Sequence, residues 1–411
     1  MSPSNSRRPC RVRVFAVLLA GFVFALPIFA GKPVPGNPDF PDIPNDLLQN
    51  ADEIPAFWVS EVDAIASFLK EKVKRGRVME IGRTAGGRPI LAVAYGEPRK
   101  GRGTTTFSGA IGFFDVRAYL GPDHAKKVFV GLGGVHGGEF EGIVGVVNFI
   151  SVLETGRDLR GREWPELTAA AARIDRIVLV PVVNIDGRVR IPLRMEPFAG
   201  TDNRYHQYFN TGTWKNGRPI GWPTIKEFIP LEFSRTQFPG GYPNDAGVNL
   251  MHDDFLGARQ PETQALLDLM SREKPDLLFN MHTGAPPENY YMRMHRPAAE
   301  LRLDAVYEEL YRTVHTALAL AGLQGTKDPA IEAAKPKRGN ALVNLDAALN
   351  MHCGVLSVVI ESPSHSFAGR NRQGEVVPHS ADMLLDAQLV AYQSGLGFLA
   401  DNGGRAKWAP K

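Results

Sequence analysis

The stretch Gly131-Leu132-Gly133-Gly134-Val135-His136-Gly137-Gly138-Glu139 joins two apolar runs of different length. The run before it, Val128 to Val130, predicts a buried strand, and the run after it, Phe140 to Leu153, predicts a helix. Glycines let the backbone turn sharply where a side chain would clash. The turn therefore places His136 and Glu139 at the mouth of a sheet, and both residue types are good zinc ligands. Alone, His-x-x-Glu is a weak indication of metal, because most such pairs are solvated surface.

Apolar runs and helical patterns alternate along the rest of the chain. Buried strands are predicted at Ile177 to Val183, Leu277 to Met281 and Val355 to Ile360, and short strands at Val78 to Ile81 and Pro89 to Tyr95. Helices are predicted at Ala56 to Lys74, Trp164 to Ile174, Gln260 to Ser271, Ala298 to Ala321 and Ser380 to Leu399. This alternation predicts the α/β class, with a doubly wound, mixed but mostly parallel sheet covered by helices on both faces.

Four side chains with metal or acid–base chemistry follow these predicted strands. His136, Glu139, His282 and Glu361 each fall just past a strand, although they are far apart in the sequence. Ligands of open α/β sheets bind beyond the carboxyl ends of the strands. The four side chains can therefore converge at one edge of the sheet.

The composition is that of an ordinary globular protein. The chain has 411 residues, of which 44% are hydrophobic and 22% charged, enough for one large α/β domain or two smaller ones. The formal net charge is +3, and no Lys/Arg block follows the basic N-terminal start. Nothing in the charge pattern therefore favours binding to nucleic acid.

The N-terminus has the pattern of a signal peptide. Basic residues precede the apolar run Val14 to Ala30, and Ala30-Gly31 is a plausible cleavage point. Residues 1–30 are therefore interpreted as a signal peptide of a secreted or periplasmic protein. The run is slightly long, so an uncleaved membrane anchor is the alternative. After cleavage Cys353 is the only cysteine, which excludes an internal disulfide.

The mature chain divides into an arm and one large domain. Residues 31–55 are rich in Pro, Asn and Asp and predict an extended arm, and 56–411 form the domain. A long aperiodic segment at about 188–246 is aromatic and rich in Pro and Gly, which is typical of a functional insertion. We interpret this insertion as a wall over the site.

Six short motifs in the expected order resemble the M14 zinc carboxypeptidase family over about residues 56–400. They are Glu80–Thr84 with Gly87–Ile90, Gly134–Glu139, Pro181–Gly187, Gly247–Leu250 with Pro261–Thr263, Asp276–Gly284 and Val358–Glu361. The resemblance implies a zinc carboxypeptidase-like fold, a peptide substrate and one Zn²⁺ ion held by His136, Glu139 and His282. It also implies that Glu361 is the catalytic carboxylate.

The chemistry of these residues agrees with that implication. Two histidines and one glutamate leave a fourth tetrahedral position on zinc for water, as in catalytic sites. Zinc lowers the pKa of that water to about 7 and polarises a scissile carbonyl. Glu361 is the candidate to take the proton of the water and return it to the leaving amine. The alternative for Glu361, a capping or surface carboxylate, is less favoured because a charge directly after a buried strand is costly.

Other residues are weaker candidates. Arg204 is placed roughly where the family has an arginine that stabilises the oxyanion, with Arg194 as a rival, and either could be a solvated surface arginine. Asn249 aligns with a family position that hydrogen-bonds a ligand histidine, and its alternative is a turn residue. Glu141 is the alternative to Glu139 but lies further into the helix. Three other histidines lack metal-type spacing and are interpreted as structural: His295, His352 and His365.

Two departures from the family leave the substrate open. Met251-His252 replaces an Asn-Arg pair whose arginine grips a terminal carboxylate, and no tyrosine lies between Tyr311 and Tyr392. A carboxylate is best bound by a bidentate guanidinium, although a protonated His252 could also bind one. An exported zinc peptidase is therefore the first hypothesis. A zinc deacylase or amidase acting on N-acyl amino acids or cell-wall peptides is the second. A non-catalytic zinc-containing binding module is the third, and Glu361 argues against it because a binder needs no base.

Overall fold

The computed structural model describes residues 36–49, 54–112, 115–195, 208–221, 230–254, 257–284, 293–295, 300–323, 344–363, 368–370 and 376–408. The predicted signal peptide 1–30 lies outside these residues, as do Arg204, His365 and parts of the 188–246 segment. Within the described ranges, no helix combines the length and apolar character needed to cross a membrane.

The described strands and helices follow the alternation predicted from the sequence. The strands are β1 (Arg77–Arg83), β2 (Pro89–Gly96), β3 (Val128–Leu132), β4 (Arg176–Val180), β5 (Thr213–Trp214), β6 (Thr236–Phe238), β7 (Leu277–Thr283), β8 (Arg293–His295), β9 (Leu356–Ser362), β10 (Ala368–Arg370) and β11 (Val376–Pro378). The helices are α1 (Val62–Lys72), α2 (Arg117–Leu120), α3 (Phe140–Thr155), α4 (Pro165–Ala171), α5 (Ile185–Arg190), α6 (Pro261–Glu273), α7 (Asp304–Leu320), α8 (Asn344–Cys353), α9 (Ala381–Asn402) and α10 (Arg405–Trp408). Short 3-10 helices cover Asn45–Leu47, Phe233–Arg235, Leu250–His252 and Leu301–Leu303, and a π-helical turn covers Ser108–Gly112.

Seven strands form one mixed sheet in the order β1-β2-β4-β3-β7-β9-β8. The four central strands run parallel, whereas β1, β2 and β8 join the sheet through antiparallel pairs. Strands β3, β4 and β7 are buried along their whole length, because helices cover both faces. The structure confirms the predicted α/β class and the mostly parallel sheet.

The side chains of β7 alternate between two helical layers. Met281 faces α3, since a Cβ on Gly142 would lie 2.9 Å from the Met281 side chain. Asn280 and His282 point to the opposite face, because successive side chains of a strand alternate. On that face Asn280 donates a hydrogen bond to Asp346 of α8 at 3.0 Å. His282 therefore reaches the carboxyl edge of the sheet from the α8 side.

Strands β7 and β9 are longer than their apolar runs predict. β7 continues through Thr283 and β9 through Ser362, so that His282 and Glu361 lie inside paired strands rather than after them. The two residues are partners in the parallel register. Polar residues at a strand end can pair through their backbone, and hydrophobicity alone does not detect this.

The structure differs from the sequence-based prediction in two further places. Asn184-Ile185-Asp186-Gly187, predicted as a turn, begins helix α5, and the Asn184 side chain accepts a hydrogen bond from the backbone N–H of Gly187 at 2.8 Å. The asparagine side chain hydrogen-bonds nearby backbone N–H groups both in turns and at helix N-caps. The sequence pattern therefore did not distinguish a turn from a helix start. The sequence patterns predict neither the edge strand β8 nor helix α8.

A buried ion network closes the amino end of β7. Asp276 accepts hydrogen bonds from Arg99 Nη2 at 2.6 Å and from the backbone N–H groups of Val128 and Arg405, each at 2.7 Å. The side chains of Arg99 and Asp276 are fully buried. This carboxylate thus ties the start of β3 and the C-terminal helix α10 to the start of β7.

The described part of the N-terminal arm packs against the domain. Ile43, Leu47 and Leu48 are buried in the main core, and Asn37 donates a hydrogen bond to the carbonyl of Arg190 at 2.7 Å. The arm is therefore anchored by apolar burial, although its composition predicts an extended segment.

Candidate metal centre

The turn between β3 and α3 brings His136 and Glu139 to the carboxyl edge of the sheet. Gly134 has a φ of 58°, a left-handed conformation that residues with a side chain rarely adopt. Gly137 is so close to helix α5 that a Cβ would lie 2.2 Å from the backbone nitrogen of Arg188. Glycine is therefore required at these two positions for the turn to form.

His136, Glu139 and His282 meet at this edge, with ligand-type atoms within 4.8 Å of one another. The Glu139 carboxylate lies between the imidazoles, 2.9 Å from His136 Nδ1 and 2.8 Å from His282 Nδ1. The two Nδ1 atoms are 3.2 Å apart, and all three side chains are buried. Among the described residues, this is the one group of three or more such side chains that could hold a metal ion.

The spacing and chemistry of this group fit zinc. Zinc–nitrogen bonds of about 2.0–2.1 Å at tetrahedral angles place two imidazole nitrogens roughly 3.3 Å apart. The distance between the Nδ1 atoms of His136 and His282 is close to that value. The three residues would supply two nitrogens and one carboxylate, so one tetrahedral position would remain for water.

Neighbouring groups orient two of the three side chains of this cluster. Asn249 Oδ1 lies 3.1 Å from His136 Nε2, in position to accept its N–H. Glu139 accepts hydrogen bonds from Asn210 Nδ2 and from the backbone N–H of Thr283, both at 3.0 Å. Partners of this kind fix the tautomer and orientation of a metal ligand.

The two histidines differ in their electrostatics. Burial lowers the pKa of His136, and the charge of Glu139 only partly offsets this effect. Burial also lowers the pKa of His282, but the charge and hydrogen bond of Glu139 outweigh it and raise that pKa to about 9. Burial alone would raise the pKa of Glu139, yet the two imidazoles hold it well below its usual value. Because zinc binds neutral imidazole, metal binding at these histidines would compete with protons.

Glu361 of β9 stands beside this cluster. It is the register partner of His282, and its negative charge contributes to the raised pKa of His282. A Cβ on Gly284 would lie 2.5 Å from Glu361 Oε2, so glycine leaves the room that this carboxylate occupies. Glu361 is partly exposed, unlike the three buried residues. A carboxylate with access to water next to a metal-type cluster can serve as a proton acceptor.

The remaining candidates lie in different surroundings. Arg194 is about half exposed and forms an ion pair with Glu61 at 3.9 Å, whereas Arg204 is outside the described residues. Glu141, the alternative ligand, accepts a hydrogen bond from Thr283 Oγ1 at 2.8 Å and does not belong to the metal-type group.

Met251 and His252, which by the resemblance stand where the family has an Asn-Arg pair, are buried. They lie in the 3-10 helix Leu250–His252 and are 3% and 7% exposed. The Met251 sulfur is 3.5 Å from Asn280 Nδ2, on the α8 side of the sheet. His352, interpreted as structural, contacts Ser271 Oγ through its Nε2 at 2.6 Å. The side chain of His295 is not part of the described structure.

Asn210 and Tyr242 are site residues that the sequence analysis missed. The Tyr242 ring stacks on the His136 imidazole, with centroids 3.6 Å apart and an interplanar angle of 14°. Burial, together with the charges of Glu139 and Glu361, raises the pKa of Tyr242 well above its usual value. Both missed residues belong to the 188–246 segment. This segment has no helical or strand periodicity in its hydrophobic residues, so the pattern does not indicate which of its side chains face the site. Its aromatic composition was the only available signal.

A buried His-Glu-His cluster at the carboxyl edge of a mostly parallel sheet defines a metalloenzyme of the α/β class. The model of the zinc carboxypeptidase family, peptidase family M14, matches residues 62–322, well over half of the chain. The chain therefore belongs to this family and is a zinc metallopeptidase. The matched range contains His136, Glu139 and His282 but ends before Glu361.

Several solved structures are similar to this chain. The metallo-carboxypeptidase of Burkholderia cenocepacia is 17% identical over 83% of this chain and 69% of its own, with a TM-score of 0.48. The metallo-carboxypeptidase of Pseudomonas aeruginosa, in complex with (2-guanidinoethylmercapto)succinic acid, is 15% identical over 83% and 68%, with a TM-score of 0.44. Bovine thrombin-activatable fibrinolysis inhibitor, in complex with tick carboxypeptidase inhibitor, is 11% identical over 85% and 100%, with a TM-score of 0.46. A comparison with curated protein sequences gives no match.

Proposed function

We propose that this protein is an exported zinc peptidase that hydrolyses a peptide or amide bond with a water activated beside Glu361. The convergence of His136, Glu139 and His282, with Glu361 as the register partner of His282, carries the proposal. His136, Glu139 and His282 would hold the zinc ion, which would supply a Lewis acid for the scissile carbonyl and for water.

The residues of the site have separate tasks in this reaction. Glu361 takes the proton of the attacking water and delivers it to the leaving amine. Asn249 accepts the Nε2–H of His136, which selects the tautomer whose Nδ1 lone pair is available to a metal. Asn210 and the Thr283 N–H hold the Glu139 carboxylate in place. Arg204 remains the proposed cation for the oxyanion.

A deacylase or amidase acting on N-acyl amino acids or cell-wall peptides is the second candidate. The identities of Met251 and His252 favour it, because neither side chain offers a guanidinium where the family grips a terminal carboxylate. Such an enzyme would tolerate a substrate whose C-terminus is blocked.

The first test measures the zinc content of the purified protein and the hydrolysis of a peptide panel with and without a chelator. We expect about one zinc per chain and hydrolysis that stops on chelation and returns with zinc. A protein that binds zinc but cleaves no peptide or acyl amino acid would contradict a catalytic function.

A second test separates the two candidates. Peptides with a free C-terminus are compared with the same peptides carrying a C-terminal amide. A carboxypeptidase is expected to cleave only the free forms, whereas equal rates on both would favour the deacylase or amidase.

Export is supported by the basic start and the apolar run within residues 1–30. The mature protein is expected to begin at Gly31, and N-terminal sequencing of protein recovered outside the cytoplasm checks this. An intact N-terminus in a membrane fraction would indicate an anchor.

A further inference from the structure

Tyr242 touches two members of the metal-type cluster with different parts of its side chain. The ring lies face to face on the His136 imidazole, with centroids 3.6 Å apart. The phenol hydroxyl is near enough to the Glu139 carboxylate for the two groups to interact, and the charge of that carboxylate helps to raise the pKa of the phenol. The same residue therefore contacts one nitrogen ligand and the single carboxylate ligand.

The backbone around Tyr242 is fixed on both sides. Its N–H donates to the carbonyl of Asn210 at 3.1 Å, and its carbonyl accepts a hydrogen bond from Asn184 Nδ2 at 2.9 Å. The carbonyl of the preceding Gly241 accepts a hydrogen bond from the N–H of Gly137, in the turn between β3 and α3, at 2.8 Å. The loop that carries Tyr242 is thus bonded to the turn that carries His136 and Glu139, so the backbone at Tyr242 is fixed relative to that turn.

We propose that Tyr242 is a positioning residue of the metal centre, whose ring fixes the His136 imidazole and whose hydroxyl fixes the Glu139 carboxylate. The inference rests on the proposed function, because it takes these two residues as metal ligands.

The contacts of Tyr242 complement those of Asn249. Asn249 holds His136 from the edge of the ring, at Nε2, and Tyr242 holds it from the face. Only Nδ1 then remains for the metal, and rotation of the imidazole away from the site would break both contacts. Stacked aromatic pairs contribute about 0.5–1.5 kcal/mol beyond the area they bury, which is enough to bias the orientation of one ligand.

The hydroxyl acts on Glu139 in a similar way. An ionised carboxylate only accepts hydrogen bonds, so the phenol is the donor. Zinc would replace the contacts of Glu139 with the two imidazoles. Asn210, the Thr283 N–H and Tyr242 would then be the donors that keep the carboxylate aimed at the ion.

Two substitutions separate the ring from the hydroxyl. Tyr242→Phe keeps the stacked ring and removes the donor, whereas Tyr242→Leu removes both. Tyr95→Phe is the matched control, because the Tyr95 hydroxyl also donates to a carboxylate, Glu154 at 2.9 Å, at the antiparallel edge of the sheet. The dissociation constant for zinc is measured by competition with a chromophoric chelator, and the melting temperature is measured with and without zinc.

Removing a partner of a metal ligand typically weakens metal affinity by about 10–100-fold, and we expect a loss of this size for Tyr242→Leu. Tyr242→Phe should fall between Tyr242→Leu and the wild type, and Tyr95→Phe should bind zinc as the wild type does. The rise in melting temperature on adding zinc should shrink in the same order, because stabilisation by a ligand follows its affinity.

Wild-type zinc affinity in Tyr242→Leu would overturn the inference and leave the proposed function standing. Equal losses in Tyr242→Phe and Tyr242→Leu would overturn the role of the ring. A lower melting temperature without metal, combined with an unchanged rise on adding zinc, would show a purely structural role. If Tyr242→Leu does not fold, Tyr242→Phe alone decides, since wild-type affinity there overturns the role of the hydroxyl. A wild-type protein that takes up no zinc would overturn the proposed function together with this inference.

Discussion

The two ends of β7 each hold a buried carboxylate, and their partners differ in kind. At the amino end Asp276 faces the permanently charged guanidinium of Arg99 and two backbone N–H groups. At the carboxyl end Glu139 faces His136 and His282, whose protons can leave at moderate pH. Asp276 therefore has fixed partners, whereas a metal ion can replace the protons around Glu139.

Burial of charge is thus not enough to identify a functional site in this molecule. Both carboxylates are almost completely inaccessible, at 1% exposure for Glu139 and 0% for Asp276. The distinguishing property is whether the partner groups can exchange a proton for a metal. The following predictions separate a catalytic carboxyl end from a structural amino end.

The largest effect is expected for Glu361→Gln at the carboxyl end. The amide cannot accept the proton of water, so kcat should fall by about 10²–10⁴-fold, the usual contribution of a general base. Zinc content and melting temperature should match the wild type, because Glu361 is not a member of the metal-type cluster. Steady-state kinetics with metal analysis checks this, and undiminished turnover would remove Glu361 from the mechanism.

At the amino end, Arg99→Met should destabilise the fold without changing zinc affinity. The substitution leaves Asp276 as a buried charge without its cation, which typically costs about 3–5 kcal/mol. Chemical denaturation measures the loss. The control is Arg117→Met, since the ion pair of Arg117 with Asp115 is about half exposed and is expected to contribute about 0–1 kcal/mol. A similar small loss in both variants would show that the network at Asp276 is not structural.

An effect of intermediate size is expected at Asn249, where one substitution removes the hydrogen-bond acceptor and another keeps it. Asn249→Ala removes the oxygen that accepts the His136 Nε2–H and should weaken zinc binding by about 10–100-fold. Asn249→Asp keeps an acceptor and should bind zinc at least as tightly as the wild type. Competition with a chelator measures both constants. Tight binding in the alanine variant would mean that His136 needs no partner at Nε2.

The smallest effect concerns Cys353, which lies near Asp276 and Arg405 at the amino end. Burial raises the pKa of its thiol to about 12 from an ordinary value of 9.0. Below pH 9 the thiol is neutral in both states, so its contribution to stability is constant. Between pH 9 and 12 only the unfolded chain ionises, so the folded state loses stability as pH rises.

The size of this loss is about 1.4 kcal/mol for each pH unit above 9. It is isolated as the difference in unfolding free energy between the wild type and Cys353→Ala at pH 8 and pH 10. The advantage of the wild type should shrink at the higher pH. A difference that does not change with pH would mean that the thiol is not sealed from solvent.

Much of the fold follows from the sequence because the central strands are continuous apolar runs. Val128 to Val130 predicted β3, and the approximate positions of β4, β7 and β9 follow from the same kind of run. The glycine-rich turn predicted the sharp approach of His136 and Glu139. Helix α8 could not be predicted, because its sequence mixes buried polar residues such as Asp346 and Asn350 with apolar ones.

The candidate site was predictable only where a residue type and a strand end coincide. His136, Glu139, His282 and Glu361 each satisfy that condition. Tyr242 does not directly follow a strand. Its position depends on hydrogen bonds that join its loop to the turn between β3 and α3 and to Asn184, which are distant in sequence. Asn, Gly and aromatic residues in an aperiodic segment give no indication of which side chain faces inward.

The pairing of His282 with Glu361 brings two residues that are far apart in the sequence to adjacent positions in the sheet. Neighbouring strands lie about 4.8 Å apart, so the ladder between β7 and β9 sets the distance between the backbones of His282 and Glu361. The connection between Thr283 and Leu356 supports the two strands through β8, which pairs with β9, and through Asp346 of α8, which bonds Asn280. A slip of one residue between the strands would turn Glu361 to the opposite face.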